Sequence, residues 1–150
     1  MNENRIVFAD FCDDIRQEVG YKFSLMGCYS GEVIVDTIPV MLPKLCASIT
    51  AITPLDQPFI NLTFRAYLNE DIIAESIIPT SNLEENYERL KKNSAEYTKI
   101  MIKVQMAFIP LIIQEQSVLR IEAETEDGII KGPKLKIRQR VESDPIIIQQ

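Results

Sequence analysis

Apolar and polar residues alternate strictly along most of this chain, and that alternation limits its fold more than any other feature. A period of two puts every second side chain on one face, which suits an extended strand lying on a core and does not suit a helix. The clearest stretch is 59–68, where Ile60, Leu62, Phe64, Ala66 and Leu68 oppose Asn61, Thr63, Arg65 and Tyr67. Tyr21, Phe23, Leu25, Gly27 and Tyr29 likewise oppose Lys22, Ser24, Met26 and Cys28. Leu45, Ala47, Ile49 and Ala51 repeat the pattern, as do Ile100, Ile102, Val104, Met106 and Phe108, and then Leu119, Ile121 and Ala123.

Breaks between these stretches carry turn chemistry. Residues 5–11 read as a first strand, after which Asp13, Asp14 and Gly20 bracket a polar turn carrying Ile15, Arg16 and Glu18. Val33 to Val35 reads as a short strand. Pro39 and Pro43 exclude a central strand between them, because proline cannot donate to a ladder. Asn69-Glu70-Asp71 predicts a hairpin into 72–78, and Asp127-Gly128 is a strong turn signal. The last strand, 129–138, is interrupted by Gly132-Pro133, which predicts a sheet edge. One segment has another period: after Pro79, Leu83, Tyr87, Leu90, Ser94 and Tyr97 fall at steps of three or four. Ser81 and Glu84 match a capping box, and Glu85–Arg89 and Glu88–Lys92 are favourable pairs one turn apart.

Many alternating strands with one helix among them predict a mainly β chain. The expected fold is a single antiparallel β-sandwich of about seven to eight strands with one inserted helix near 82–95. Immunoglobulin-like and C2-like topologies both fit this pattern. At 150 residues the chain can bury one full core. Residues 1–141 are expected to form the sandwich and 142–150 an apolar C-terminal tail.

Charge narrows the function classes. The net charge is −6, whereas nucleic-acid binders rely on a basic face that neutralises phosphates. Lys91–Lys92 and the stretch 131–140 are the basic groups, interleaved with acidic or apolar residues. Neither nucleic acid nor an anionic membrane is therefore expected as a partner, although the basic strand suits an acidic partner. No stretch approaches the roughly 20 apolar residues of a membrane span, and the first residues lack the pattern of a signal peptide. The three cysteines include no Cys-x-x-Cys pair, which predicts a reducing, cytoplasmic setting.

Histidine is absent, which removes Ser-His-Asp and Cys-His nucleophiles and the usual zinc-hydrolase ligand sets. Cys12, Cys28 and Cys46 lack a histidine activator, and buried packing is their default. Ser30-Gly31 and Asp127-Gly128 form no glycine-rich cradle, so no nucleotide or other cofactor is expected.

The candidates that remain are clustered. Asp10, Asp13 and Asp14 are a candidate calcium set if a second loop adds Asp56 or Asp127, since a hard cation needs several converging oxygens. Asp14, Arg16, Glu18 and Lys22 read either as a salt-bridge network pinning the first loop or as the lining of a ligand cleft. Ile146, Ile147 and Ile148 are costly to leave in water; they complete the domain's own sheet or add to an edge of another chain, which keeps a homodimer open.

The block Asp13, Asp14, Ile15, Arg16, Glu18, then Lys22, Ser24, Leu25, Gly27, Tyr29, then Leu42, Pro43, Lys44, Leu45 resembles an uncharacterised family of small bacterial and phage proteins. The resemblance covers about the first third of the chain. It implies a small β-sandwich and no particular chemistry, and it directs attention to the surface formed by 13–31, including Tyr29. The leading expectation is a non-enzymatic module that binds a protein or a small ligand there. A calcium-dependent C2-like module, an assembly component of a phage particle or bacterial machine, and a hydrolytic or lyase enzyme using Asp13, Asp14, Arg16 and Glu18 are the alternatives.

Overall fold

The structure, a computed structural model, describes residues 4–145. The described chain is mainly β with one helix. In chain order the elements are β1 (Ile6–Glu18), β2 (Lys22–Cys28), β3 (Glu32–Val35), β4 (Val40–Leu42), β5 (Leu45–Pro54), β6 (Leu62–Leu68) and β7 (Asp71–Ile77). After these come α1 (Thr80–Lys91), β8 (Lys99–Phe108), β9 (Leu111–Ile113), β10 (Ser117–Thr125) and β11 (Gly128–Gln139). A four-stranded sheet runs β2-β1-β5-β8, a five-stranded sheet runs β3-β11-β10-β6-β7, and β4 pairs with β9 in a small ribbon. The described residues hold eleven strands against the expected seven to eight or so, because β3, β4 and β9 are segments of three or four residues between prolines and turns.

Alternation places the core as the sequence implies. Val7, Phe11, Leu45 and Ile49 from one sheet and Leu62, Phe64, Leu119, Ile121, Leu135 and Ile137 from the other form one buried cluster. Removing a side chain such as Phe64, which is fully buried, typically costs about 3–5 kcal/mol. Ile60 departs from its expected inward position. β6 begins only at Leu62, and Ile60 is exposed while Phe59 is buried.

Several local expectations are corrected. The polar turn expected from Asp13 to Gly20 is strand through Glu18; the reversal is at 19–21, where Gly20 and Tyr21 have positive φ. The helix ends at Lys91, short of residue 95, and begins after Pro79 at its N-cap with no side-chain cap bond. Pro79 instead accepts the amides of Asn82 and Leu83 through its carbonyl, so Ser81 sits inside the first turn and the capping box does not form. Arg89 hydrogen-bonds Asn86. β11 is not a free edge along its whole length: residues 136–139 pair in parallel with β3, so the sheet is not purely antiparallel either. Arg138 fastens that junction by donating to Glu32 at 2.9 Å and to Asp144 at 2.5 Å. The isoleucines of the tail, Ile146, Ile147 and Ile148, lie outside the described residues.

The β1–β2 hairpin changes the shape of the first sheet. Residues 6–12 of β1 pair with β5, while residues 12–18 pair with β2 beyond the end of β5. Phe23 lies opposite Gln17, and Lys103 shares a cross-strand row with Thr50 and Phe8. A straight β1 would separate these rows by about 30 Å at ~3.3 Å per residue. Yet the Lys103 ammonium lies 5.1 Å from the Phe23 ring centre, so the hairpin folds back over the outer face of the sheet. That return explains why Cys12, Cys46, Ser48 and Thr50 are buried although they alternate away from the core.

Candidate functional site

The hairpin surface separates the residues that the sequence grouped. Asp10 lies on the part of β1 that pairs with β5, whereas Asp14, Arg16 and Glu18 lie on the part that pairs with β2, beyond the crease at Asp13. Asp13 lies opposite Gly27, whose lack of a Cβ leaves the space that the Asp13 carboxylate occupies. The Tyr29 hydroxyl donates a short hydrogen bond to that carboxylate. Burial, followed by this bond, pushes the Tyr29 phenol above its ordinary range. Asp14 pairs with Lys44 at 2.6 Å and accepts the Ile15 amide at 2.9 Å. The Lys44 bond holds the Asp14 carboxyl below the usual carboxylate range. Glu18 accepts the Ser24 hydroxyl at 3.1 Å, and Arg16 and Lys22 are exposed. The expected network is therefore a set of separate pairs.

The calcium set does not converge either. Asp13 is taken by the Tyr29 hydroxyl and Asp14 by the Lys44 ammonium. Asp127 is engaged by Arg5 at 3.2 Å, and Asp56 borders a separate cavity beside Tyr87 and Tyr97. Among the described residues no group of three or more acidic, cysteine or histidine side chains surrounds a point where a cation fits.

A different arrangement lies on the outer face of the five-stranded sheet. β10 and β11 pair in register except at one point, where Gly132 and Pro133 oppose the single residue Ile121. Such a bulge bends the strand and re-aims the side chains beside it. Glycine is required there, since a Cβ on residue 132 would come within 2.9 Å of the Ile121 carbonyl oxygen. Glu122 then faces Lys131, Arg120 faces Lys134, and a cavity of about 270 Å³ opens between them. Arg120 stacks on the Tyr67 ring at 4.0 Å and pairs with Glu122 at 2.5 Å. Lys131 and Lys134 are exposed and have no ion-pair partner among the described residues.

The sequence carried half of this signal, as a basic stretch beginning at Lys131. It did not indicate Arg120, which looks like an ordinary outward residue until the bulge sets its register against Lys134. The interruption at Gly132-Pro133 is the available clue, although from sequence it predicts a sheet edge and the structure makes it a bulge. Comparison of the chain with models of protein families and with curated proteins gives no match.

Proposed function

We propose that the chain is a non-enzymatic binding module that takes a phosphate-type anion in the cavity between Arg120, Lys131 and Lys134. The observation that carries this reading is the charge of the lining. Arg120 and Glu122 cancel each other, so the two unpaired lysines leave a local charge of about +2 in a chain whose net charge is −6. A phosphomonoester dianion matches that surplus, and Arg120, held by Tyr67 and Glu122, keeps donors free for its oxygens. The cavity has room for a small phosphorylated molecule. A nucleic-acid duplex would need a far longer run of phosphate contacts. The recognition surface thus moves from the hairpin at 13–31 to the bulge on β11.

Titration calorimetry with inorganic phosphate and with a simple phosphomonoester tests the reading. Binding is expected to weaken as salt rises. Lys134→Glu should abolish it, and Lys22→Glu, on the distant hairpin, should leave it unchanged. No heat at millimolar ligand, or equal losses in both variants, would remove the proposal.

A further inference from the structure

The three cysteines of the chain meet in one cross-strand row. Cys12 on β1 faces Cys28 on β2 and also faces Cys46 on β5. Residues directly opposite in a ladder project to the same face of the sheet, so the three sulfurs lie on one side. Cys12 and Cys46 are buried where the hairpin folds back, and Cys28 is exposed. Sequence spacing gives no hint of this, because Cys28 and Cys46 lie 16 and 34 positions after Cys12.

The two neighbouring pairs are not equivalent. The Tyr29 amide donates to the Phe11 carbonyl at 2.8 Å, so Phe11 and Tyr29 form a hydrogen-bonded pair. The adjacent pair, Cys12 with Cys28, is then a non-hydrogen-bonded one, with Cα atoms about 4.5 Å apart. That separation lies within the span a disulfide accepts. Toward β5 the parity reverses: Cys12 turns its own amide and carbonyl to that strand. Cys12 with Cys46 is thus a hydrogen-bonded pair, with Cα atoms about 5.5 Å apart and side chains farther from each other. The Cys46 thiol is also directed to the Asp13 carbonyl at 3.8 Å.

We propose that Cys12 and Cys28 are an oxidative modification site, closing to an intramolecular disulfide when the protein meets a hydroperoxide. The inference is independent of the anion cavity, which lies on the other sheet. Exposure makes Cys28 the thiol that the oxidant reaches. Its sulfur displaces water from hydrogen peroxide, or an alcohol from an organic hydroperoxide, and becomes the sulfenic acid. The Cys12 sulfur then attacks the Cys28 sulfur, the S–S bond forms, and the sulfenic oxygen leaves as water with the Cys12 proton. Two thiols are oxidised by two electrons in total and one peroxide is reduced. Burial holds the Cys12 thiol up at about 11, with Cys46 and Cys28 adding to the shift. A thiol held protonated in this way is slow to react with the oxidant, which leaves the first step to Cys28. The closed link staples the hairpin at its crease, leaving Cys46 reduced.

The experiment treats the folded full chain with a small excess of hydrogen peroxide, alkylates free thiols in denaturant and maps the peptides. The expected result is a fall in titratable thiols from three to one, a mass loss of about 2 Da for the two hydrogens removed, and one linked peptide joining Cys12 to Cys28. Cys46→Ser should form the same link, and Cys28→Ser should form none; position 28 is exposed, so that variant tests the idea even if Cys12→Ser folds poorly. A Cys12–Cys46 link, a dimer joined through Cys28, or Cys28 carried to the sulfinic acid with Cys12 still free would each overturn the proposal.

Discussion

Replacing Arg5 with alanine is expected to be among the most damaging single changes the fold can receive. The Arg5 side chain is 2 % exposed and pairs with Glu126, itself 17 % exposed, at 2.5 Å. Its guanidinium also donates to the Thr53 and Thr125 hydroxyls, to the carbonyls of Gln57 and Pro58, and to Asp127. Its plane lies 4.7 Å from the Phe59 ring centre. One side chain thus ties the start of β1 to the β5–β6 connection and to the β10–β11 turn. Truncation leaves the Pro58 carbonyl and one Glu126 oxygen without this donor, at a site where the Glu126 side chain is only 17 % exposed. The other Glu126 oxygen keeps the amides of Ile60 and Asn61, and the two threonine hydroxyls keep carbonyl partners. The loss is therefore dominated by the stranded carboxylate, and removing one partner of a buried pair costs about 3–5 kcal/mol. Against a typical total of roughly 5–15 kcal/mol, that is a third or more of the stability. Urea unfolding followed by circular dichroism measures it, with the midpoint falling and the slope unchanged. The Arg5→Ala, Glu126→Ala pair supplies the control: the double variant should recover part of the loss, because no carboxylate is then stranded. A cost for Arg5→Ala below about 1 kcal/mol, the level of an exposed ion pair, would refute the reasoning.

Two further outcomes follow from the same geometry. Burial opposes the ionisation of Glu126, yet the Arg5 bond and backbone amides outweigh it and hold its carboxyl below the ordinary 4.5; Arg138, with the Val141 amide, holds Asp144 down at about 2. A depressed folded value stabilises above the unfolded value and is lost on acidification. The melting temperature should therefore stay level down to about pH 5 and fall between there and pH 2, and a melting temperature that climbs on acidification would contradict both assignments. Gly27→Ala should destabilise by at least about 1–2 kcal/mol, the usual cost of left-handed backbone with a Cβ, and that Cβ would in addition run into the Asp13 carboxylate; loss of the Asp13–Tyr29 bond should appear as a lowered tyrosine pKa in ultraviolet titration, and a neutral variant would show that the crease tolerates a side chain.

The sequence alone determined most of the residues that face the core between the two sheets, although not Ile60 or Tyr21, which are exposed. Period-two alternation is a local property, so Leu62, Phe64 and Ala66, or Ile100, Met106 and Phe108, were legible as inward residues before any pairing was known. The change of period after Pro79 marked the helix for the same reason. The missing histidine closed off whole classes of chemistry without reference to a fold. The boundaries were less legible. Asp13, Asp14 and Gly20 look like turn chemistry, yet β2 offers β1 a ladder through Glu18, and that pairing overrides local preference.

Only the tertiary structure decided where surfaces form, because register between distant strands is set by packing and by bulges. The register of β1 against β2 on one side and β5 on the other turns three scattered cysteines into one row. The bulge at Gly132-Pro133 sets Arg120 against Lys134 and opens the basic cavity. The Arg5 node joins residues up to 122 positions apart, through contacts that no short window of sequence contains.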